Sequence, residues 1–336
     1  MSDVTKIDQD LQASSPEVGL ALSRAGVTGV QKAVRIRRGD AETVMAAVID
    51  CTIDLAADQK GVHMSRFPEL FEGAIDLVVD GEALLVEVLA EQIASRVVER
   101  QHALRAEVWI RAQWPIRRRT PVTGLKTQEM VMLCGIAAAS EGGTRRVVGV
   151  EAHGINACPC AQGLVRNRAN ERLLEAGFDS GDIEKILDLV PIATHNQRGR
   201  GTLYVGSEHD LDAEELVSVV ERSMSAPIYD LLKRPDELFV VEHAHLQPRF
   251  VEDSVRHALR DALDALPQLE DRDFLLSRQV NFETIHIHDV VAERFGTVGE
   301  LRTELHSGEP SPRQTTLAEW LGETDATQRP GAKRRL

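Results

Sequence analysis

What most constrains this chain is the order in which its patterned segments come. Residues 27–38 and 44–57 are rich in β-formers, and the second run alternates through Val44, Ala46, Val48, Asp50, Thr52 and Asp54. Gly39 and Asp40 between them suit a hairpin turn. Residues 82–101 change period, with Leu85, Val88, Leu89 and Ile93 recurring at helical spacing. Three β-patterned runs follow, 103–117, 126–139 and 145–157, the last two turned by Gly142 and Gly143. The second half repeats the theme with more helix, expected at 164–176, 183–189, 213–224, 228–232 and 250–266, and with strands at 201–205 and 274–286. Strand, strand, helix, strand, strand, given roughly twice, predicts an α+β fold of antiparallel sheets with helices packed on one face. The regular βαβα alternation of a doubly wound sheet or an eight-fold barrel is missing.

The chain has 336 residues, 43% of them hydrophobic, enough for one large or two moderate domains. With only 4% aromatics, the core must be built from Val, Leu, Ile and Ala. A net charge of −14 repels polyphosphate at long range and argues against a broad nucleic-acid face. An anionic substrate therefore has to be met by a local cluster of Arg and Lys. Residues 1–15 are polar, without the apolar stretch of a signal peptide, and no run of 18 apolar residues occurs, so no membrane association is expected. Cys51 and Cys134 read as core residues, and the chain as a reduced, cytoplasmic protein. Residues 1–25 and 309–336 are polar and carry Pro and Gly, as loose ends do.

Four clusters carry candidate chemistry. In His153-Gly-Ile-Asn-Ala-Cys158-Pro-Cys160 two thiols lie two positions apart beside a proline, at a strand end or loop, and thiolates suit zinc or ferrous iron. Two local cysteines fit an open site completed by His or Glu better than a closed four-thiolate site, and an ordinary cysteine pair at a turn has the same spacing. Thr194-His195-Asn196-Gln197-Arg198-Gly199-Arg200 reads as a loop for metal and anion together, or equally as a solvated polar loop. Lys233 and Arg234 in the stretch ending at Glu237 suit phosphate, and Glu242 precedes the run from Pro248 to Asp253, whose acids also read as helix caps. Asn281-Phe-Glu283-Thr-Ile-His286-Ile-His288 places two histidines on one face of a strand, with Glu283 opposite unless the chain bends. The HxH pair of barrel amidohydrolases has that spacing, but belongs on a first strand. The zinc deaminase signature is absent, as are the phosphate loop GxxxxGK[ST] and a dinucleotide fingerprint around Gly199.

In this order, the clusters resemble the type IB GTP cyclohydrolases, the metal-dependent family that starts folate or methanopterin synthesis. The resemblance spans roughly residues 27–289. It rests on Gly61-Val-His63-Met-Ser65-Arg66, His153 to Cys160, His195-Asn-Gln-Arg198, Leu231 to Glu237, Glu242 with Phe250 to Asp253, and Glu283-Thr-Ile-His286. It implies a tunnelling fold of two antiparallel β-sheet modules, 26–160 and 161–308, the second holding the metal and guanine site. It also implies a homodimer or homotetramer with active sites between subunits. GTP is the implied substrate. Cys158 and His195 are the implied metal ligands, with Cys160 as an alternative, and Fe²⁺ is the favoured ion ahead of Zn²⁺ or Mn²⁺. Glu242 would anchor the guanine edge, with Arg66, Arg198, Lys233 and Arg234 as further substrate-binding residues. Cys158, Glu283 and His286 would lie at the reacting carbon.

Two departures point to the archaeal, methanopterin-pathway branch, whose product is 7,8-dihydroneopterin 2′,3′-cyclic phosphate. Cys160 and His195 are separated by 34 residues where folate-pathway members have a short connection, and Pro227 stands where those members carry a ligand Glu. Glu283 or a water would then complete the metal's coordination. The alternatives are the folate-type reaction giving 7,8-dihydroneopterin triphosphate, and a non-catalytic metal- or purine-binding protein of the same fold.

Overall fold

The computed structural model describes residues 12, 14–38, 41–80 and 85–322. The first half runs β1 (Leu22–Arg38), β2 (Ala41–Leu55), α1 (Arg66–Asp80), α2 (Val86–Gln101), β3 (Arg105–Arg119) and β4 (Lys126–Ser140). The second runs β5 (Gly143–Ala157), α3 (Pro159–Glu175), α4 (Ser180–Leu189), β6 (Asn196–Gly206), α5 (Ala213–Arg222), the two-residue β7 (Ala226–Pro227), α6 (Arg234–Leu246), α7 (Val251–Ala265), β8 (Phe274–Asn281), β9 (Val290–Thr297), α8 (Val298–Ser307) and α9 (Leu317–Trp320).

All strand pairs among the described residues are antiparallel, and they form one sheet in the order β1-β2-β3-β4-β5-β6-β8-β9, with β7 attached to β5. This is the α+β tunnelling-fold plan, two four-stranded halves with α2, α5 and α7 packed over one face. The halves are fused, because β4 and β5 pair from Ser140↔Gly143 to Met132↔Glu151. Residue 160, expected to close the first module, lies in the first turn of α3.

Period-two alternation assigns the faces. On β3, Ala106, Val108, Ile110, Ala112, Trp114 and Ile116 are buried against the helices in the main core. Register carries a second apolar stripe across the opposite face through Trp109, Ile136, Val147 and Phe274, capped by Trp320 of α9. Cys51 and Cys134 are both buried, as expected.

Several local expectations need correction. Residues 228–232 are not helical. The helix begins at Arg234 with Pro235 in its first turn, where a missing N–H costs nothing, and the Lys233 N–H donates to Asp236 (3.0 Å). The strand expected over 274–286 stops at Asn281 and restarts as β9. Helix α1 and helix α8 carry no expectation at all. The ends are more ordered than their polarity suggests: β1 starts at Leu22, and Trp320 is buried with its indole N–H on the Arg272 carbonyl (2.9 Å). The Gly39–Asp40 turn lies outside the described residues.

Candidate active site

The site sits where β5, β6 and β8 end together. Pro159 starts α3 directly after β5, which leaves Cys158 at the N-cap between strand and helix. Its N–H donates to the His195 carbonyl (3.1 Å), and its own carbonyl accepts from the Thr194 hydroxyl (2.8 Å). Two residues 37 positions apart are thereby fastened at the backbone, just past the last β5–β6 rung, Ala157↔Asn196. The 34-residue connection folds out as the pair α3 and α4, and α3 buries none of its residues in the core.

Side chains then converge. Beyond Asn281 the chain bends, with the Phe282 N–H on the Arg198 carbonyl (3.0 Å) and the Thr284 hydroxyl on the Asn196 carbonyl (3.2 Å). The bend turns Glu283 toward β6. Its carboxylate can only accept, so the Gln197 Nε2 faces it (3.1 Å) and the Gln197 Oε1 faces the His195 Nδ1 (3.2 Å). An amide oxygen can only accept as well. The imidazole therefore presents a proton on Nδ1, and in the neutral ring this leaves the lone pair on Nε2, the arrangement a metal-ligating histidine needs. The Glu283 carboxylate is also 3.9 Å from the same ring nitrogen.

Cys158, His195, Glu283 and His286 line one cavity of about 230 Å³, closed by Arg249 and the N-terminal turn of α7. Arg249 donates to the Arg222 carbonyl (2.6 Å), and burial pulls its pKa below the usual guanidinium value. His286 is exposed, its ring stacked on that of His288 with centroids 5.3 Å apart. The donor chemistry, one thiolate, one imidazole and one carboxylate, fits a borderline-soft cation. Among the described residues, however, no three His, Cys, Asp or Glu side chains stand close enough together to hold a metal. The single chain offers a partial set.

Beneath the cavity lies a buried amide network. The Asn156 side chain donates to the Ser254 hydroxyl (3.0 Å) and to Asn281 (2.9 Å), and accepts the Ser225 N–H (3.1 Å). The Ser225 hydroxyl in turn accepts the Ala157 N–H (3.1 Å). Glycines make room for this layer. A Cβ on Gly199 would lie 2.3 Å from the Gln279 amide nitrogen, and one on Gly154 would lie 2.9 Å from the Ala226 carbonyl oxygen. The stretch from Asn196 to Arg200, read from sequence as a loop, is therefore the start of β6, and its Gly199 serves packing.

The other sequence candidates lie outside this cavity. Cys160 is exposed on α3; Lys233, Arg234 and Glu242 are exposed at or on α6; and Arg198 is exposed on the face of β6 opposite Gln197. Arg66 is exposed at the start of α1, which packs on β1 and α2 at the far edge of the sheet. Sequence reasoning assigned no role to Gln197, Asn156, Asn281 or Arg249. Gln197 had a visible signal in its place two residues after His195 inside the His195–Arg198 motif; Asn156 and Asn281 had none.

A family model described as type I GTP cyclohydrolase folE2 matches residues 9–292. The chain is 40% identical over 305 residues to a curated protein of Methanococcus aeolicus named GTP cyclohydrolase MptA, covering 88% of this chain and 99% of that protein. It is 39% identical over 308 residues to the protein of that name from Methanocaldococcus jannaschii, covering 89% and 98%. Among solved structures, uricase from Arthrobacter globiformis aligns over 82% of this chain and 93% of its own at 8% identity and a TM-score of 0.46. A uricase from Bacillus fastidious aligns over 85% and 97% at 10% identity and a TM-score of 0.43.

Proposed function

Because the chain belongs to the type I GTP cyclohydrolase family and is thereby a GTP cyclohydrolase of pterin biosynthesis, we propose that it opens GTP at one metal ion held by Cys158 and His195. The proposed products are 7,8-dihydroneopterin 2′,3′-cyclic phosphate, formate and pyrophosphate. The observation that carries this reading is the convergence of Cys158, His195, Glu283 and His286 on one cavity from three strand ends. Ferrous iron is the proposed ion, with zinc and manganese the others that such donors accept; bound there, it would make a water acidic enough to attack near neutral pH.

The chain's own residues do the rest. Gln197 holds the His195 ring and the Glu283 carboxylate in register, so that Glu283 takes up the water's proton as C8 of guanine is attacked. His286, at the exposed mouth, delivers a proton to the imidazole nitrogen released from C8. Arg249 brings positive charge to the cavity wall, beside Glu252 in the first turn of α7. Glu242, Arg66, Arg198, Lys233 and Arg234 are assigned to guanine and triphosphate from a neighbouring subunit of a homodimer or homotetramer. Exposed apolar residues on the α3–α4 pair, Leu164, Phe178 and Leu189 among them, support such an assembly. No helix among the described residues is long and apolar enough to cross a membrane, and the free thiols of Cys158 and Cys160 suit a reducing cytoplasm.

The cyclic-phosphate branch is favoured by the long α3–α4 connection and by Pro227, which sits in β7 opposite Gly154. The experiment is anaerobic incubation with GTP and ferrous ion, with formate assay and mass analysis of the pterin. Formate with pyrophosphate and a cyclic phosphate is expected. Formate with an intact triphosphate chain would move the chain to the folate-type reaction, and no formate with any of the three ions would overturn the proposal.

A further inference from the structure

A second cavity, about 510 Å³, lies where the helix layers of the two halves meet. Its walls are largely apolar, with Met45 from β2, Trp114 from β3, Leu133 from β4 and Val148 from β5, and the first residues of α2 and α5 complete it. Glu87, in the first turn of α2, lines it while only 3% exposed, and its Oε1 has no hydrogen-bond partner. The neighbouring charges are committed elsewhere. Arg37 and Arg146 both reach Asp210 (3.4 and 3.1 Å), Arg146 also reaches Glu91 (3.3 Å), and Asp212 caps α5 by accepting the Glu214 N–H (2.9 Å).

A buried acceptor without a donor is costly, and in native proteins it usually marks a place where a donor arrives. The cavity says what kind. Its wall holds Arg37 against Glu87, Asp210, Asp212 and Glu214, so phosphate is disfavoured and a neutral or cationic guest is favoured. Apolar walls beside the Trp114 indole suit a flat ring. A carboxylate receives two parallel N–H groups best. We propose that this cavity is a second ligand site, taking a small aromatic molecule whose amidine-type N–C–N–H edge is received by Glu87.

That edge has two sources, an aryl amidine and a pterin stripped of phosphate. In the second case the site senses products derived from the enzyme's own reaction, which rests on the GTP cyclohydrolase reading. Burial pushes the Glu87 carboxyl up to about 7, against a hydrogen bond from its own backbone N–H and the charges of Arg146 and Arg37, which draw it down, while Asp210 raises it. A cationic guest must expel the proton, so its affinity rises as pH passes upward through that value.

The test is calorimetric titration of the full chain with benzamidine and, separately, with neopterin, in the wild type, Glu87→Gln and Ala213→Leu. Glutamine offers one acceptor where two are needed, and the leucine fills the cavity without touching the carboxylate. Saturable binding of either probe, weakened about tenfold or more in both variants while GTP turnover stays unchanged, supports the site. Neopterin binding identifies a product sensor; benzamidine binding alone identifies an amidine site. Should neither probe bind, or binding survive Glu87→Gln, the proposal is overturned. Since binding is read directly, loss of GTP turnover in the wild type would count only against the function above.

Discussion

The two halves of the sheet follow one plan and fill it differently. In the first half, the helix-facing side of β3 is apolar from Ala106 to Ile116 and that of β2 from Met45 to Leu55. In the second half three strands change character along their length. β5 passes from Val148 and Val150 to Gly154 and Asn156; β6 from Val205 and Leu203 to Gly199 and Gln197; β8 from Leu275 to Gln279 and Asn281. Register brings these polar ends together, with Asn156 opposite Gln197 and Gly199 opposite Asn281. One half is a scaffold. The other gives up apolar burial at one end and gains a fixed hydrogen-bonded floor beneath the site.

Substitutions break or sharpen that contrast, beginning with the largest expected effect. Cys158→Ala should lower formate release by about a thousandfold or more while leaving the melting transition in place, since the thiol makes no capping bond to α3. Retained turnover would remove Cys158 from the site. Asn156→Leu should cost about 3 kcal/mol in urea unfolding, because it strands the Ser225 N–H and leaves Asn281 and Ser254 without their partner. A neutral result would mean the floor is not a floor. Gln197→Ala frees the His195 ring and should weaken metal binding and turnover by about 10- to 100-fold with little change in stability.

Two smaller effects belong to the seam and the scaffold. Arg118 of β3 reaches both Glu221 of α5 (2.6 Å) and Glu129 of β4 (3.0 Å), joining the halves. Burial raises the Glu221 carboxyl from 4.5 to about 7, so the folded state holds a proton that the unfolded state has lost. Stability from this group is fully present below the unfolded value and falls as pH rises through the folded one. Unfolding at about pH 5 and about pH 7.5 should show Glu221→Gln gaining on the wild type at the higher pH by about 1–2 kcal/mol, and parallel curves would refute the coupling. Ile110→Val, in the scaffold, should cost about 1 kcal/mol and leave turnover untouched.

Much of this was legible in sequence where one local rule acts alone. Period-two alternation marked β2, runs of β-forming residues marked β3, β4 and β5, and the family resemblance paired Cys158 with His195. Legibility failed where a contact across the chain overrides the local pattern. The apolar content of residues 228–232 reads as helix, but Pro235 and the Asp236 bonds to Lys233, Val122 and Thr123 set the start later. The run after Phe274 reads as one strand because nothing local reports the bond from the Phe282 N–H to Arg198 that turns it.

By itself, then, the sequence determined the antiparallel α+β plan and which residue types are available for metal chemistry. Periodicity and composition are properties of neighbours along the chain, so no fold is needed to read them. Only the tertiary structure decided that Cys158 and His195 are tied backbone to backbone, that Glu283 swings onto their side through Gln197, and that the Glu87 Oε1 is left without a donor. Each of those depends on strand register, which the packing of distant segments fixes.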